Sequence, residues 1–516
     1  MKVLIPMAGM GKRFIKAGYQ VPKTLISIES RPMVEHVVRN FSAEDDFVFG
    51  INEEHDRGGE MSQVLKRIAP RGVIVPMPYQ QEGPTATVRR MLDHVKDEEP
   101  VIVNYCDFSW VWDYDSFKRQ VAENHCDGAV ICYRGFHPHL LGPNHYATLD
   151  SDGLWMKEIR EKFSWHDDKK KDWSSSGTYY FRQGAFVKKY FTRIQEKKDW
   201  LINGEHYVSQ VFQLMKEDGL RVFIQEIPFM LQWGTPEDLE QYLHWSGYFH
   251  AKKLSDKVSA HPMTVLVLMA GAGKRFAQEG YPAPKPYIAV NGDPMVVQST
   301  RHLPQGDRYL FITRKELQND AGEKVLKILF QPATVLCLDE LTEGQASTAL
   351  CAEKLLKPED PLLIGACDHL IFFDPDRFKA LTAPDSGVDA LIFTYRNNPM
   401  VRLNPRMYGW VETDAAGRAL RISVKVPLSG DSAQNHAVVG SFWFRKGRYF
   451  TENAREMIRE NNRIHNEFYI DQCMNYLIRN RLRVDVFEVD QYASLGTPDD
   501  LRTYEYWQRY FSLKRS

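Results

Sequence analysis

With 516 residues, 43% of them hydrophobic and 26% charged, the chain has the apolar mass of two or three globular domains, which excludes the disordered, collagenous and coiled-coil classes. Its 66 Lys and Arg against 67 Asp and Glu leave a net charge of -1, so whole-chain electrostatics exclude nucleic acid and anionic membrane as partners and leave small ligands held by local charge. Seven cysteines, an odd count without a C-x-x-C pair, exclude a disulfide framework or structural zinc and point to a reduced, cytoplasmic protein.

The first predicted element is the apolar run Val3 to Pro6, which stops at the loop Ala8-Gly9-Met10-Gly11-Lys12-Arg13, the pattern of a buried parallel strand entering a turn. The run is too short for a secretory signal, and no stretch of about 18 apolar residues follows it, so no membrane insertion is expected. Further strands are expected at Asp46 to Ile51, Val73 to Pro76, Val101 to Asn104 and Ala129 to Tyr133, with a helical stretch from Ala86 to Val95. This alternation implies an α/β fold, a mixed, mostly parallel sheet flanked by helices, with ligands at the carboxyl ends of the strands. The glycine loop and Asp107 both fall there.

Residues 251–262 are polar and charged without apolar period, as suits an exposed connector, and a second strand, Val265 to Leu268, follows. It leads into Ala270-Gly271-Ala272-Gly273-Lys274-Arg275, which repeats the first loop. The register holds at Pro22-Lys23 and Pro284-Lys285 (285 − 23 = 262), and at Cys106-Asp107 and Cys367-Asp368 (368 − 107 = 261). Lys162 and Lys425, Gly177 and Gly440, Glu205 and Glu467, and Gly234-Thr235-Pro236 and Gly496-Thr497-Pro498 continue the series. The chain therefore reads as one domain duplicated, with copies at 1–254 and 263–516 and a linker at 255–262.

The loop suits phosphate binding by backbone N–H groups. It is no Walker loop, since Pro6 and Arg13 stand where Gly and Ser or Thr are required, and no dinucleotide fingerprint, since Phe14 replaces the third glycine. The ordered set A-G-x-G-x-R-F, P-K, E-G, a strand ending in Asp, E-K, G-T-Y-Y-F and G-T-P-E-D-L resembles the sugar-phosphate nucleotidylyltransferase (NTP transferase) family, twice, over nearly the whole chain. The resemblance implies two tandem Rossmann-like domains of glycosyltransferase A type. It also implies a reaction that joins a nucleoside triphosphate to a sugar 1-phosphate and releases pyrophosphate.

By that resemblance Arg13 and Arg275 hold the triphosphate, and Lys23 and Lys285 contact phosphate near the α-position. Ala8, Gly9, Gly11, Glu82 and Gly83, with Ala270, Gly271, Gly273, Glu343 and Gly344, are nucleotide-binding. Lys162, Gly177 and Glu205, with Lys425, Gly440 and Glu467, meet the sugar phosphate, and Asp107 and Asp368 hold Mg2+. A cation at a helix start is disfavoured unless an anion also sits there, which supports the arginines. A strand carboxylate in an apolar run is costly unless paired or metal-bound, which supports the aspartates.

Three departures stand out. Val424 replaces the Glu161 that precedes the phosphate lysine in the first copy, so the second copy lacks that support or finds another. Gln232 and Ser494 stand where the family carries a second metal-binding Asp, with Glu205 and Glu467 as candidate substitutes. Gln80 and Gln81 can hydrogen-bond a base, whereas the second copy has Leu341 and Thr342. The Asp113-Tyr-Asp115 and Asp374-Pro-Asp376 pairs read as helix caps rather than metal ligands.

The chain is thus expected to be a nucleotidyltransferase that supplies an activated precursor for surface polysaccharide such as capsule. One catalytic copy with a regulatory pseudo-domain, or a non-catalytic nucleotide-sugar sensor, remain the alternatives. The base, the sugar and any homo-oligomeric state are open.

Overall fold

A computed structural model describes residues 1–79, 82–251, 260–428 and 430–515. The chain divides into two compact units, Met1–Leu243 and His244–Ser516, the division falling within the helix Pro236–His250. Of the connector expected at 255–262, residues 255–259 lie outside the described residues, and the strand His261–Leu268 begins inside it.

In the first unit a nine-stranded sheet runs Val73–Met77, Asp46–Asn52, Lys2–Met7, Val101–Asn104, Trp173–Phe181, Gly128–Tyr133, Val222–Glu226, Trp155–Glu161, Ala147–Asp152. The first four strands are mutually parallel, with Lys2–Met7 central between Asp46–Asn52 and Val101–Asn104. Trp173–Phe181 runs antiparallel to both of its neighbours, which makes the sheet mixed. The strands predicted from the apolar runs all form: Val101–Asn104 has the predicted bounds, the others in this unit are one or two residues longer, and the predicted Val265 to Leu268 begins at His261.

From Val3 onward the opening strand is apolar at every position because both of its faces are covered. Leu4 joins one core with Val48, Val103 and Phe212, while Val3 and Ile5 join another with Phe49, Ile102 and Val34. The helix Val208–Glu217 covers the first face and Met33–Val38 the second. The helix expected over Ala86 to Val95 starts earlier, at Pro84, and stops at Arg89, with a 3-10 turn at Leu92–His94. Proline is pre-organised for a first helical position, and the β-branched Thr85, Thr87 and Val88 weaken propagation.

The second unit repeats this order with Ala333–Leu338, Gly306–Arg314, His261–Leu268, Leu362–Ala366, His436–Phe444, Ala390–Tyr395 and Val484–Glu488. Gly409–Thr413 and Ala419–Val424 form the hairpin at the far side. Beyond the main sheet each unit has, besides a two-residue hairpin, one four-residue antiparallel ladder. Phe108–Val111 pairs with Phe229–Gln232 in the first, and His369–Phe372 pairs with Gln491–Ser494 in the second. These ladders return a distant part of the chain to the residue after each candidate metal aspartate.

Candidate active site

The loop after the first strand ends at Gly11, whose left-handed backbone (φ 66°) caps the short helix Lys12–Lys16; Gly273 does the same (φ 59°) for Lys274–Gln278. A Cβ on Gly11 would lie 3.3 Å from Lys23 Cβ, so the loop and the Pro-Lys segment press together. They open on a cavity of about 440 Å³ lined by Ala8, Gly9, Gly11, Lys12, Arg13, Lys23, Gly83, Asp107, Glu205, Tyr207 and Gly234, among others. Residues separated by more than two hundred positions thus share one wall.

At its base Lys23 Nζ donates to Asp107 Oδ2 at 2.6 Å and to the Gly234 carbonyl at 2.9 Å. Asp107 does not end a strand as its apolar run implied. It lies in the turn between Val101–Asn104 and Phe108–Val111, where its carbonyl accepts from Trp233 N–H. In the second unit Lys285 donates to Asp368 in the same way. Burial alone would lower the Lys285 ammonium and raise the Asp368 carboxyl, but each outweighs burial for the other: the lysine is held above its usual range and the aspartate below.

The Gly-Thr-Pro turn supplies the oxygens around each aspartate. A Cβ on Gly234 would lie 3.6 Å from Asp107 Oδ2 and 3.7 Å from Gln232 Oε1, so carboxylate and amide flank one point. A Cβ on Gly496 would lie 3.5 Å from Asp368 Oδ2, 3.7 Å from Asp500 Oδ2 and 3.4 Å from Ser494 Oγ. Asp500 thus brings a further carboxylate beside Asp368, one that was not among the candidate site residues. Burial raises its carboxyl, hydrogen bonds from Thr497 and Ser494 lower it, and Asp368 raises it further. Its first-unit counterpart Asp238 accepts from Thr235 instead. The pair was legible as the shared G-T-P-x-D spacing. All-oxygen surroundings suit a hard cation such as Mg2+. Among the described residues no group of three or more His, Cys, Asp or Glu gathers as a complete ligand set.

Glu205 and Tyr207 also line the cavity. Burial pushes the Tyr207 hydroxyl up to about 12, reinforced by Glu205 and Glu161 and opposed by Arg13, so these charges share one neighbourhood. Lys162 Nζ reaches Tyr207 Oη at 3.4 Å and lies 5.2 Å from its ring centroid. Lys425 lies 5.4 Å from the Tyr469 ring and donates to the Met407 carbonyl. Burial lowers the Lys425 ammonium, Asp471 and Glu467 raise it, and Arg275 lowers it again.

Other expected residues are brought near the site as backbone. A Cβ on Gly83 (φ 85°) would come within 2.8 Å of the His206 carbonyl, and one on Gly344 (φ 126°) within 2.6 Å of Phe468 N, so these glycines let the E-G segment touch the strip after Glu205 or Glu467. Glu82 and Glu343 contribute carbonyls to those contacts, accepting from His206 N–H and Phe468 N–H, and the Glu343 carboxylate pairs with Arg463 at 2.8 Å. Gly177 accepts from Tyr105 N–H at 3.1 Å and packs on Phe108, beside the Asp107 turn rather than on the cavity wall. Gly440 lies against Ala366 and His369 in the second unit, and Ala270 accepts from the Arg314 guanidinium. Gln80 and Gln81 lie outside the described residues. Asp113 and Asp374 each accept from the first N–H groups of the helix that follows them, as caps do. Burial pushes the Cys106 and Cys367 thiols up to about 12, which leaves both protonated beside their aspartates.

Residues 3–164 match the family model of the MobA-like NTP transferase domain, and residues 264–507 match that of the nucleotidyl transferase family. Among solved structures, a nucleoside-diphosphate-sugar pyrophosphorylase from Vibrio cholerae RC9 aligns at 20% identity over 47% of this chain and 99% of its own, with a TM-score of 0.40. An inositol-1-phosphate CTP transferase from T. maritima aligns at 17% identity over 49% and 97%, with a TM-score of 0.38. A UDP-glucose pyrophosphorylase complexed with UDP-glucose aligns at 16% identity over 49% and 99%, with a TM-score of 0.39.

Proposed function

This chain being a tandem of two NTP transferase domains, we propose that each unit joins a nucleoside triphosphate to a sugar 1-phosphate, or a similar phosphate ester, and releases pyrophosphate. The observation that carries the reading is the convergence of Arg13, Lys23 and Asp107 on one cavity with the glycine loop, a cationic pocket beside a carboxylate.

The second pKa of a phosphate monoester is about 6, so the attacking oxygen is ionised at neutral pH and no general base is required. The protein's part is positioning and charge cancellation, the electrostatic work of phosphoryl-type transfer. Arg13 and the loop hold the triphosphate, Lys23 lies against the α-phosphate, and Lys162 with Glu205 and Tyr207 orients the incoming ester from the opposite wall. Arg275, Lys285, Lys425, Glu467 and Tyr469 take these roles in the second unit. Asp107, with Gln232 beside it, and Asp368, with Asp500 and Ser494 beside it, would hold Mg2+. When bound, that ion neutralises phosphate charge. The product is a nucleotide-activated sugar for surface polysaccharide, made in the cytoplasm. Among the described residues no helix is long and apolar enough to cross a membrane.

The test is pyrophosphate release by the full chain across four nucleoside triphosphates and a panel of sugar 1-phosphates, with Arg13→Ala, Arg275→Ala and their double. Each single change should remove the activity of its own unit and the double should remove all of it. Absence of release by the unaltered chain from every pairing would sink the enzymatic reading.

A further inference from the structure

Lys162 and Lys425 are both non-glycine residues in the left-handed region, at φ 52° and φ 61°. That conformation is disfavoured for an ordinary side chain and persists only where surroundings over-determine it. One restraint is common to both: Lys162 N–H donates to the Tyr146 carbonyl at 2.9 Å, and Lys425 N–H to the Tyr408 carbonyl at 3.1 Å, the two tyrosines being repeat partners (408 − 146 = 262).

The other restraint differs. In the first unit Glu161 is half-buried and accepts a hydrogen bond from Ser209 Oγ at the start of the helix Val208–Glu217. In the second unit Val424 takes the strand position, and Asp471 takes the place of Ser209 (471 − 209 = 262) in the helix Ile470–Arg479. A third position changes with them. Glu161 pairs across the hairpin with Ala147, whereas Val424 pairs with Gly409. A Cβ on Gly409 would lie 2.1 Å from Asp471 Oδ2, so the aspartate fits only because that residue is glycine. Asp471 is 8% exposed, and a carboxylate so enclosed is costly without a compensating cation. In both units the neighbouring lysine opposes, without overcoming, the upward push of burial on the carboxyl, after the Ser209 hydrogen bond in the case of Glu161.

We infer that Glu161 and Asp471 are the same positioning residue carried on different elements: an acidic side chain beside the phosphate lysine that aims it at the ester phosphate. Its transfer from strand to helix is made possible by the coupled change from Ala147 to Gly409. The inference rests on the nucleotidyltransferase reading, and it accounts for the support that the second unit was missing at Val424. It also places the second unit among copies that have kept a working phosphate lysine, against the pseudo-domain alternative.

The test uses the full chain with Arg275→Ala to silence the second unit. Glu161→Gln, Glu161→Val and the triple exchange Ala147→Gly, Glu161→Val, Ser209→Asp are compared for KM toward glucose 1-phosphate or whichever panel ester the unaltered chain accepts, for kcat, and for inorganic phosphate affinity by calorimetry. Glu161→Gln, which keeps shape and folding, should weaken phosphate affinity and raise KM about tenfold, with a smaller change in kcat. Glu161→Val should do the same, and the triple exchange should recover to within about threefold of the starting protein. An unchanged KM and phosphate affinity in Glu161→Gln, or no recovery in a triple variant that unfolds at the normal temperature, overturns the inference. Loss of pyrophosphate release by the unaltered chain would overturn the functional reading alone, because the phosphate titrations still score the carboxylate exchange.

Discussion

Lys23 Nζ lies 2.6 Å from Asp107 Oδ2, joining the Pro-Lys segment to a turn 84 residues further along the chain. Their side chains are 17% and 30% exposed, so the pair is screened only in part and each partner stabilises the other's charge. Lys23→Met should therefore cost about 1–2 kcal/mol of stability, less than a fully buried pair would. It should also lower pyrophosphate release by about 10²-fold. Denaturant titration and a rate assay separate the two effects. A fall in rate with no loss of stability would show that the contact does not hold the turn.

The pH dependence of stability should carry a signature of Glu161. Burial raises its carboxyl to about 7, with Ser209 and Lys162 opposing. The unfolded side chain ionises near pH 4.5, so between about pH 4.5 and 7 the folded state binds the extra proton. The contribution of this group is full below that window and is lost as pH rises through it. Glu161→Gln should abolish that component, so the stability of the variant relative to the unaltered chain should rise from pH 5 to pH 8. Parallel unfolding curves at the two pH values would count against the burial assigned to Glu161.

Gly83 and Gly344 combine positive φ with backbone approach to the substrate-side strip. Alanine at either position must move His206 or Phe468 backbone and adopt a disfavoured conformation. The expected cost is on the order of 1–3 kcal/mol, with KM raised for both substrates because the strip carrying Glu205 or Glu467 is displaced. Thermal unfolding and initial rates for Gly83→Ala and Gly344→Ala read this directly.

Asp113 and Asp374 accept from helix N–H groups and take no part in the cavity described. Asp113→Ala and Asp374→Ala should each lower stability by about 1 kcal/mol while leaving the Mg2+ dependence of the rate unchanged. A shifted Mg2+ dependence would return these pairs to candidacy as metal ligands.

Much of the fold was legible because the duplication prints the same apolar runs and glycine loops twice, and burial on both faces of the sheet demands such runs. The limits of the helix beginning at Pro84 were less legible, because competition between a good first residue and β-branched successors is settled by packing. Of the candidate site, the residues that bear charge could be read from motif order. Asp500 could not be weighed by sequence spacing alone, because its closeness to Asp368 depends on the ladder between His369–Phe372 and Gln491–Ser494. Gly177 read as a substrate contact, whereas the structure sets it against Tyr105 and Phe108, off the cavity wall.

By itself the sequence determined that two homologous α/β domains stand in tandem, each with a glycine loop, an arginine, two lysines and a carboxylate in fixed order, since periodicity and spacing are properties of the chain alone. Only the tertiary structure decided which of those charges meet. Lys23 finds Asp107 and Lys285 finds Asp368 across more than eighty residues. The physical reason is that a buried charge is compensated through space, so any element that brings an oxygen to the right point satisfies it, whatever its place in the sequence.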